Sequence, residues 1–124
     1  MGRYEIVKGR DDQFRFCLRA GNGEIVTASV SFQTEEICRA ALEVSRRISA
    51  SEIEDQTSPK CVTLDCPKYE IYSDKAGEFR FRLKDKKGNT LCISEGYRSK
   101  RSCQNGIASV AKNAPDAPVV SYIN

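Results

Sequence analysis

The chain has 124 residues, with 20 Lys plus Arg against 17 Asp plus Glu and 40% apolar residues. That composition suits a folded globular chain rather than a disordered one, and no apolar run approaches the roughly 20 residues of a membrane helix. There is no His, which excludes His-based triads and removes the commonest general base and metal ligand.

The first ten residues alternate charged and apolar types and carry no secretory h-region. A cytoplasmic location is therefore expected, with reduced thiols at Cys17, Cys38, Cys61, Cys66, Cys92 and Cys103. The first unit opens on Tyr4-Glu5-Ile6 and turns at Asp11-Asp12. It runs through Phe14-Arg15-Phe16 to Leu18, turns again at Gly21-Asn22-Gly23, and reaches a third strand around Val26 and Ser29. Thr34 is placed to cap a helix, with Glu35 and Glu36 favouring its positive start. Cys38, Ala41, Leu42 and Ser45 form that helix's inner stripe, widened by Ile37, Val44 and Ile48. Ser49 to Lys60 is polar and acidic and contains Ser-Pro, the pattern of a connection. Cys61-Val62-Thr63-Leu64 follows as a short predicted strand.

The second unit repeats the first at an offset of 65 residues. Tyr69-Glu70-Ile71, Phe79-Arg80-Phe81, Leu83, Gly88, Ser94 and Cys103 fall on their first-unit counterparts. Between residues 4 and 46 this gives 10 identities in 43 ungapped positions, the signature of internal duplication. Phe79, Phe81 and Leu83 alternate with Arg80, Arg82 and Lys84, so one strand face is apolar and the other cationic. Asp74 to Gly77 and Lys86 to Asn89 supply the turns, with Gly77 free to take positive φ. Leu91-Cys92-Ile93 is the third strand. Ser99 is placed as the second helix cap, and Cys103, Gly106, Ile107 and Val110 make an amphipathic stripe. Pro115 stops the helix, and Pro118 to Tyr122 is a last short strand. Each unit thus reads as three strands, a helix and a short strand, too small to bury its own faces. Two units paired about a pseudo-twofold axis give one sheet with both helices on one side, an α+β domain. The expected organisation is a single domain over 1–124, with repeats at 3–66 and 68–123 and the acidic connection at 49–60.

Phe79-Arg80-Phe81-Arg82-Leu83, Glu95-Gly96-Tyr97 and the run Asn105 to Val110, followed by Lys112-Asn113-Ala114, resemble the YegP-like family. These are small, mostly bacterial proteins with one or two copies of a domain of unknown function. The match is strong over residues 68–114. In the first unit Val30-Ser31-Phe32 stands for Glu-Gly-Tyr, and Arg39-Ala40-Ala41-Leu42 for the Asn-Gly-Ile segment. The resemblance implies β3-α-β repeats joined in one antiparallel sheet, with the C-terminal strands exchanged between repeats. It implies no activity.

Three constellations bear on function. Glu5 beside Arg15 and Glu70 beside Arg80 are predicted cross-strand ion pairs, which are common on exposed sheet faces. Glu95, Tyr97 and Asn105 mark a pocket between the third strand and the helix start, set against a plain turn held by tyrosine packing. Arg80, Arg82 and Lys84, with Arg98 and Lys100 and help from Lys86 and Lys87, form a cationic surface. Residues 67–124 hold 11 basic against 6 acidic residues, whereas residues 1–66 hold 9 against 11. The expected partner is therefore an acidic macromolecule, protein or nucleic acid, with no membrane involved. A Cys-only zinc site at Cys61 and Cys66 would need a second thiol pair from element interiors, so neither metal nor cofactor is expected. No positioned nucleophile and base can be assembled. The expectation is a non-catalytic binding or interaction module, monomeric because its repeats pair within the chain. The alternatives are nucleic-acid binding through the cationic sheet face, or a small-ligand site at the Glu-Gly-Tyr and Asn-Gly-Ile segments.

Overall fold

Alternation of aromatic and cationic residues drives the first hairpin. β1 (Arg3–Lys8) pairs antiparallel with β2 (Phe14–Arg19), placing Tyr4 opposite Leu18 and Ile6 opposite Phe16 on the buried face. The computed structural model describes residues 2–123. β3 (Ile25–Ser29) completes the first meander, and α1 (Glu35–Arg47) follows. The second half repeats this with β5 (Lys68–Ser73), β6 (Phe79–Lys84), β7 (Thr90–Ile93) and α2 (Lys100–Asn113), after the short β4 (Ile53–Asp55) and before β8 (Val119–Ser121). Thr34 and Ser99 cap the helices as expected, accepting hydrogen bonds from the Ile37 and Ser102 N–H groups. Gly77 sits at φ +80 in the β5–β6 turn, where a side chain would be strained.

Among the described residues eight strands form one sheet in the order β4-β5-β6-β7-β3-β2-β1-β8. The halves meet at the centre, where Ala28 pairs with Ile93 and Ser29 with Cys92. Ala28 and Ile93 are 65 residues apart, so the pseudo-twofold axis passes between them. At the outer ends each half receives a strand from the other. β4, which follows α1, lies on β5, and β8, which follows α2, lies on β1. Both end strands pair parallel, because each returns over a helix before joining the sheet. The sheet is accordingly mixed rather than wholly antiparallel.

The strand after α1 also lies earlier than the sequence pattern indicates. It occupies Ile53–Asp55, inside the segment 49–60 read as connection, whereas residues 61–63 are exposed and outside any strand. Its buried residue is Glu54, whose carboxylate meets Lys68 Nζ at 2.7 Å and the Leu64 N–H at 2.7 Å. A charge rather than an apolar run therefore anchors this strand.

Both helices cover one face of the sheet. Cys38 and Leu42 of α1 join Cys103, Ile107 and Val110 of α2 in a core with Tyr4, Phe16, Tyr69 and Phe81. The duplicated aromatic pairs take nearly the same pose. The Tyr4–Phe16 and Tyr69–Phe81 centroids are each 5.8 Å apart, edge to face, at 71° and 78°.

Candidate functional site

The uncovered face of the sheet carries the cationic strand. Arg80, Arg82 and Lys84 alternate on β6 as predicted, but each meets a carboxylate. Arg80 Nε lies 2.8 Å from Asp74, Arg82 Nε 2.6 Å from Glu70, and Lys84 Nζ 3.2 Å from Glu70. The ion pairs also differ from the expected Glu70/Arg80 and Glu5/Arg15. The hairpin register sets Glu70 opposite Arg82 and Tyr72 opposite Arg80. In the first half Glu5 binds Arg19 and Arg3, and Arg15 binds Asp11. Glu70 is 3% exposed, and Glu5 and Glu54 are similarly buried beneath their cations. Burial alone would raise the Glu70 pKa, but hydrogen bonds from Arg82, Lys68 and Lys84 bring it below the ordinary value. Gln56, Lys68 and the Leu64 N–H hold Glu54 down at about 2. Arg98 and Lys100 lie at the start of α2, away from this strand face. Lys100 pairs with Asp55 at 2.9 Å, and Arg98 is exposed without an ion pair among the described residues. The five cations therefore do not form one patch.

Glu95, Tyr97 and Asn105 do come together. They line a cleft of about 240 Å³ between β3 and α2, with Val26 and Gly106 among its walls. The cleft lies where the central seam parts. On one side of the pseudo-twofold axis the Val30 N–H reaches the Leu91 carbonyl at 3.1 Å. The equivalent bond on the other side, from Glu95 N–H to the Val26 carbonyl, is not made among the described residues. Gly106 lets the Tyr97 ring lie against α2: a Cβ there would stand 2.6 Å from the Tyr97 hydroxyl and 3.1 Å from Phe81. Burial, with help from the nearby Glu95 carboxylate, raises the Tyr97 pKa and keeps its hydroxyl protonated.

A larger hollow of about 650 Å³ continues along α2 to Asn113 and Asp116. It shares Ala20, Asn22, Asn105 and Ser109 with the cleft, so the two run together as one groove. Asn22 and Glu24, from the β2–β3 turn of the first half, were not among the residues the sequence assigned to the site. Only the strand order, which sets β3 beside β7 beneath α2, brings them to the site. Ser109 and Asn113 lay within the family-like segment and at helical spacing from Asn105, a signal present in the sequence.

The buried thiols show no activation. Burial pushes Cys38 and Cys103 up to about 11 and Cys92 up to about 12. Cys61 is exposed and Cys66 half-buried, and among the described residues no group of three or more Cys, Asp or Glu is arranged to hold a metal. Among the described residues no helix is long and apolar enough to cross a membrane.

Comparison with known proteins places these features in a wider set. A family model described as "Domain of unknown function (DUF1508)" matches residues 10–52 and 74–121. The chain is 62% identical over 48 residues to the "UPF0339 protein in ptx operon 5'region" of Stutzerimonas stutzeri, of whose length it spans 43% and which covers 39% of this chain. It is 30% identical over 118 residues to the UPF0339 protein YegP of Escherichia coli, covering 95% of this chain and 94% of that one. The solution NMR structure of the protein of unknown function yegP from E. coli superposes with a TM-score of 0.80 at 28% identity, covering 98% of this chain and 92% of the other.

Proposed function

The chain belongs to the family of the domain of unknown function DUF1508, and from that premise we propose that it is a non-catalytic binding module whose site is the cleft of Glu95, Tyr97 and Asn105. The observation that carries this reading is the convergence of those three residues on one cleft. It continues into a hollow whose volume of about 650 Å³ falls within the roughly 300–1,000 Å³ of ordinary ligand sites. The buried thiols and paired carboxylates offer no nucleophile with a partner base. In this reading the chain works as one monomeric domain in the cytoplasm. The test is amide shift mapping of the labelled chain against a collection of small polar fragments. Shifts clustering at Glu95, Tyr97 and Asn105, and lost in Asn105→Leu at unchanged melting temperature, are expected. Shifts clustering elsewhere, or turnover of any fragment that Asn105→Ala abolishes, would refute it.

A second reading is nucleic-acid binding through Arg80, Arg82 and Lys84. It is favoured by guanidinium tips that reach solvent above buried carboxylates, the Arg80 side chain being 36% exposed. A phosphate there would have to displace Asp74 or Glu70. Binding that falls steeply with salt and is lost in Arg80→Ala/Arg82→Ala is the expected signature.

A further inference from the structure

The groove along α2 has the length and hydrogen-bonding pattern of a site for extended polypeptide. From Ser102 to Asn113 the helix wall rises about 16 Å at 1.5 Å per residue. An extended chain advances about 3.3 Å per residue, so the wall matches about five residues. Three side-chain amides line it, and each has a different free capacity. Asn22 Oδ1 already accepts from the Glu24 N–H at 3.0 Å, leaving its NH2 group to donate. Asn113 Nδ2 already donates to the Ser109 carbonyl and hydroxyl at 2.8 and 3.1 Å, leaving its Oδ1 to accept. The Asn105 side chain makes no hydrogen bond among the described residues and offers both functions. A peptide backbone presents alternating C=O and N–H groups, which such a row can match.

The internal duplication supplies a control. At the positions 65 residues away, Ala40 stands for Asn105, Ile48 for Asn113 and Lys87 for Asn22. The same fold therefore forms around α1 without the amides, and their presence around α2 is not a requirement of folding. The ends of the groove differ in charge. Glu24 and Glu95 both line the cleft end, and neither has an ion pair among the described residues. Two free carboxylates beside the Tyr97 ring favour a cationic side chain and repel a phosphate. Among the described residues Tyr97 is the single aromatic in the lining, so a sugar would find little to stack on.

We infer that this groove takes an extended peptide segment about five residues long, its backbone held by Asn22, Asn105 and Asn113 and a lysine or arginine lodged between Glu24 and Glu95. The inference rests on the reading of the cleft as a binding site and names its occupant. The test uses the full labelled chain and pools of blocked hexapeptides, randomised except for one lysine fixed at either end. Matched pools carry glutamate in its place. Lysine pools are expected to shift the side-chain NH2 signals of Asn22 and Asn105. Asn105→Leu, at an exposed position, should weaken binding about tenfold with the melting temperature unchanged, in line with the loss of one or two hydrogen bonds. Glu24→Gln/Glu95→Gln should abolish the preference for lysine over glutamate. Failure of every pool to bind, equal binding by Asn105→Leu, or preference for the glutamate pools would overturn the inference. If polar fragments shift the cleft signals while no peptide pool does, the inference falls and the cleft reading stands. If neither shifts them, both fall.

Discussion

Gly106 and Tyr97 show how one missing methyl shapes the site. Alanine at 106 gains about 1 kcal/mol of helix propensity, yet its Cβ would meet the Tyr97 hydroxyl at 2.6 Å and Phe81 at 3.1 Å. Overpacking of this kind costs about 1–3 kcal/mol, so Gly106→Ala should be net destabilising by about 1 kcal/mol in urea unfolding. Removing the hydroxyl removes the nearest contact, and Tyr97→Phe should recover most of that loss in the double variant. An additive double variant would refute the contact as its cause. Glu54 acts through charge instead. Its pKa drops from 4.5 to about 2 in the folded chain, so its contribution is complete above about pH 4.5 and drains away as pH falls toward 2. Glu54→Gln should therefore be less stable than the parent at pH 7, with the gap closing by pH 2.5 in matched urea titrations. A gap that stays constant would remove Glu54 from the account of acid sensitivity.

Among the elements, Arg46 on the last turn of α1 reaches across to the far helix. Its Nη1 donates to the carbonyls of Ala114 at 2.7 Å and Ala117 at 2.8 Å, and more distantly to Pro115 at 3.2 Å. Its guanidinium lies 5.2 Å from the centre of the Tyr4 ring. These bonds fix the turn that carries β8 to β1. The equivalent position in α2 is Ala111, so the clamp has no twin. Arg46→Ala should cost about 2–3 kcal/mol, as charged hydrogen bonds are lost to partly buried carbonyls. Arg46→Lys should recover less than half, because a point ammonium cannot span several acceptors as the planar fork does. Faster amide exchange at Tyr122, whose N–H bonds the Ile6 carbonyl, would report the loosened strand. The elements most legible in the sequence were those whose apolar residues repeat with a clean period: the four hairpin strands and the two capped helices. β4 was missed because Glu54, its buried residue, looks like a solvent charge until Lys68 of the neighbouring strand is seen beside it. The ion-pair partners were shifted because turn length, not strand pattern, sets which residues face each other. Glu95, Tyr97 and Asn105 were legible as a cluster, but the amide row was not, since Asn22 arrives from the other half.

Across the whole molecule, three strand ladders join the halves: the central β3–β7 seam and the two outer ladders, β4 on β5 and β8 on β1. Neither half can lose its helix and strands without stripping an edge from the other. Thermal unfolding should therefore be one cooperative transition, with calorimetric and van't Hoff enthalpies in agreement; two separable transitions would show that the halves melt independently. The reciprocal strands also make the backbone between them dispensable. The stretch from Pro59 to Thr63 is exposed, and a protease site built there would cut the chain into two fragments that remain interlocked like clasped hands. Such a nicked protein should elute as a single species at full mass and come apart only in denaturant. Each fragment would be a reagent for capturing the other, and new chain termini placed at this cut should be tolerated.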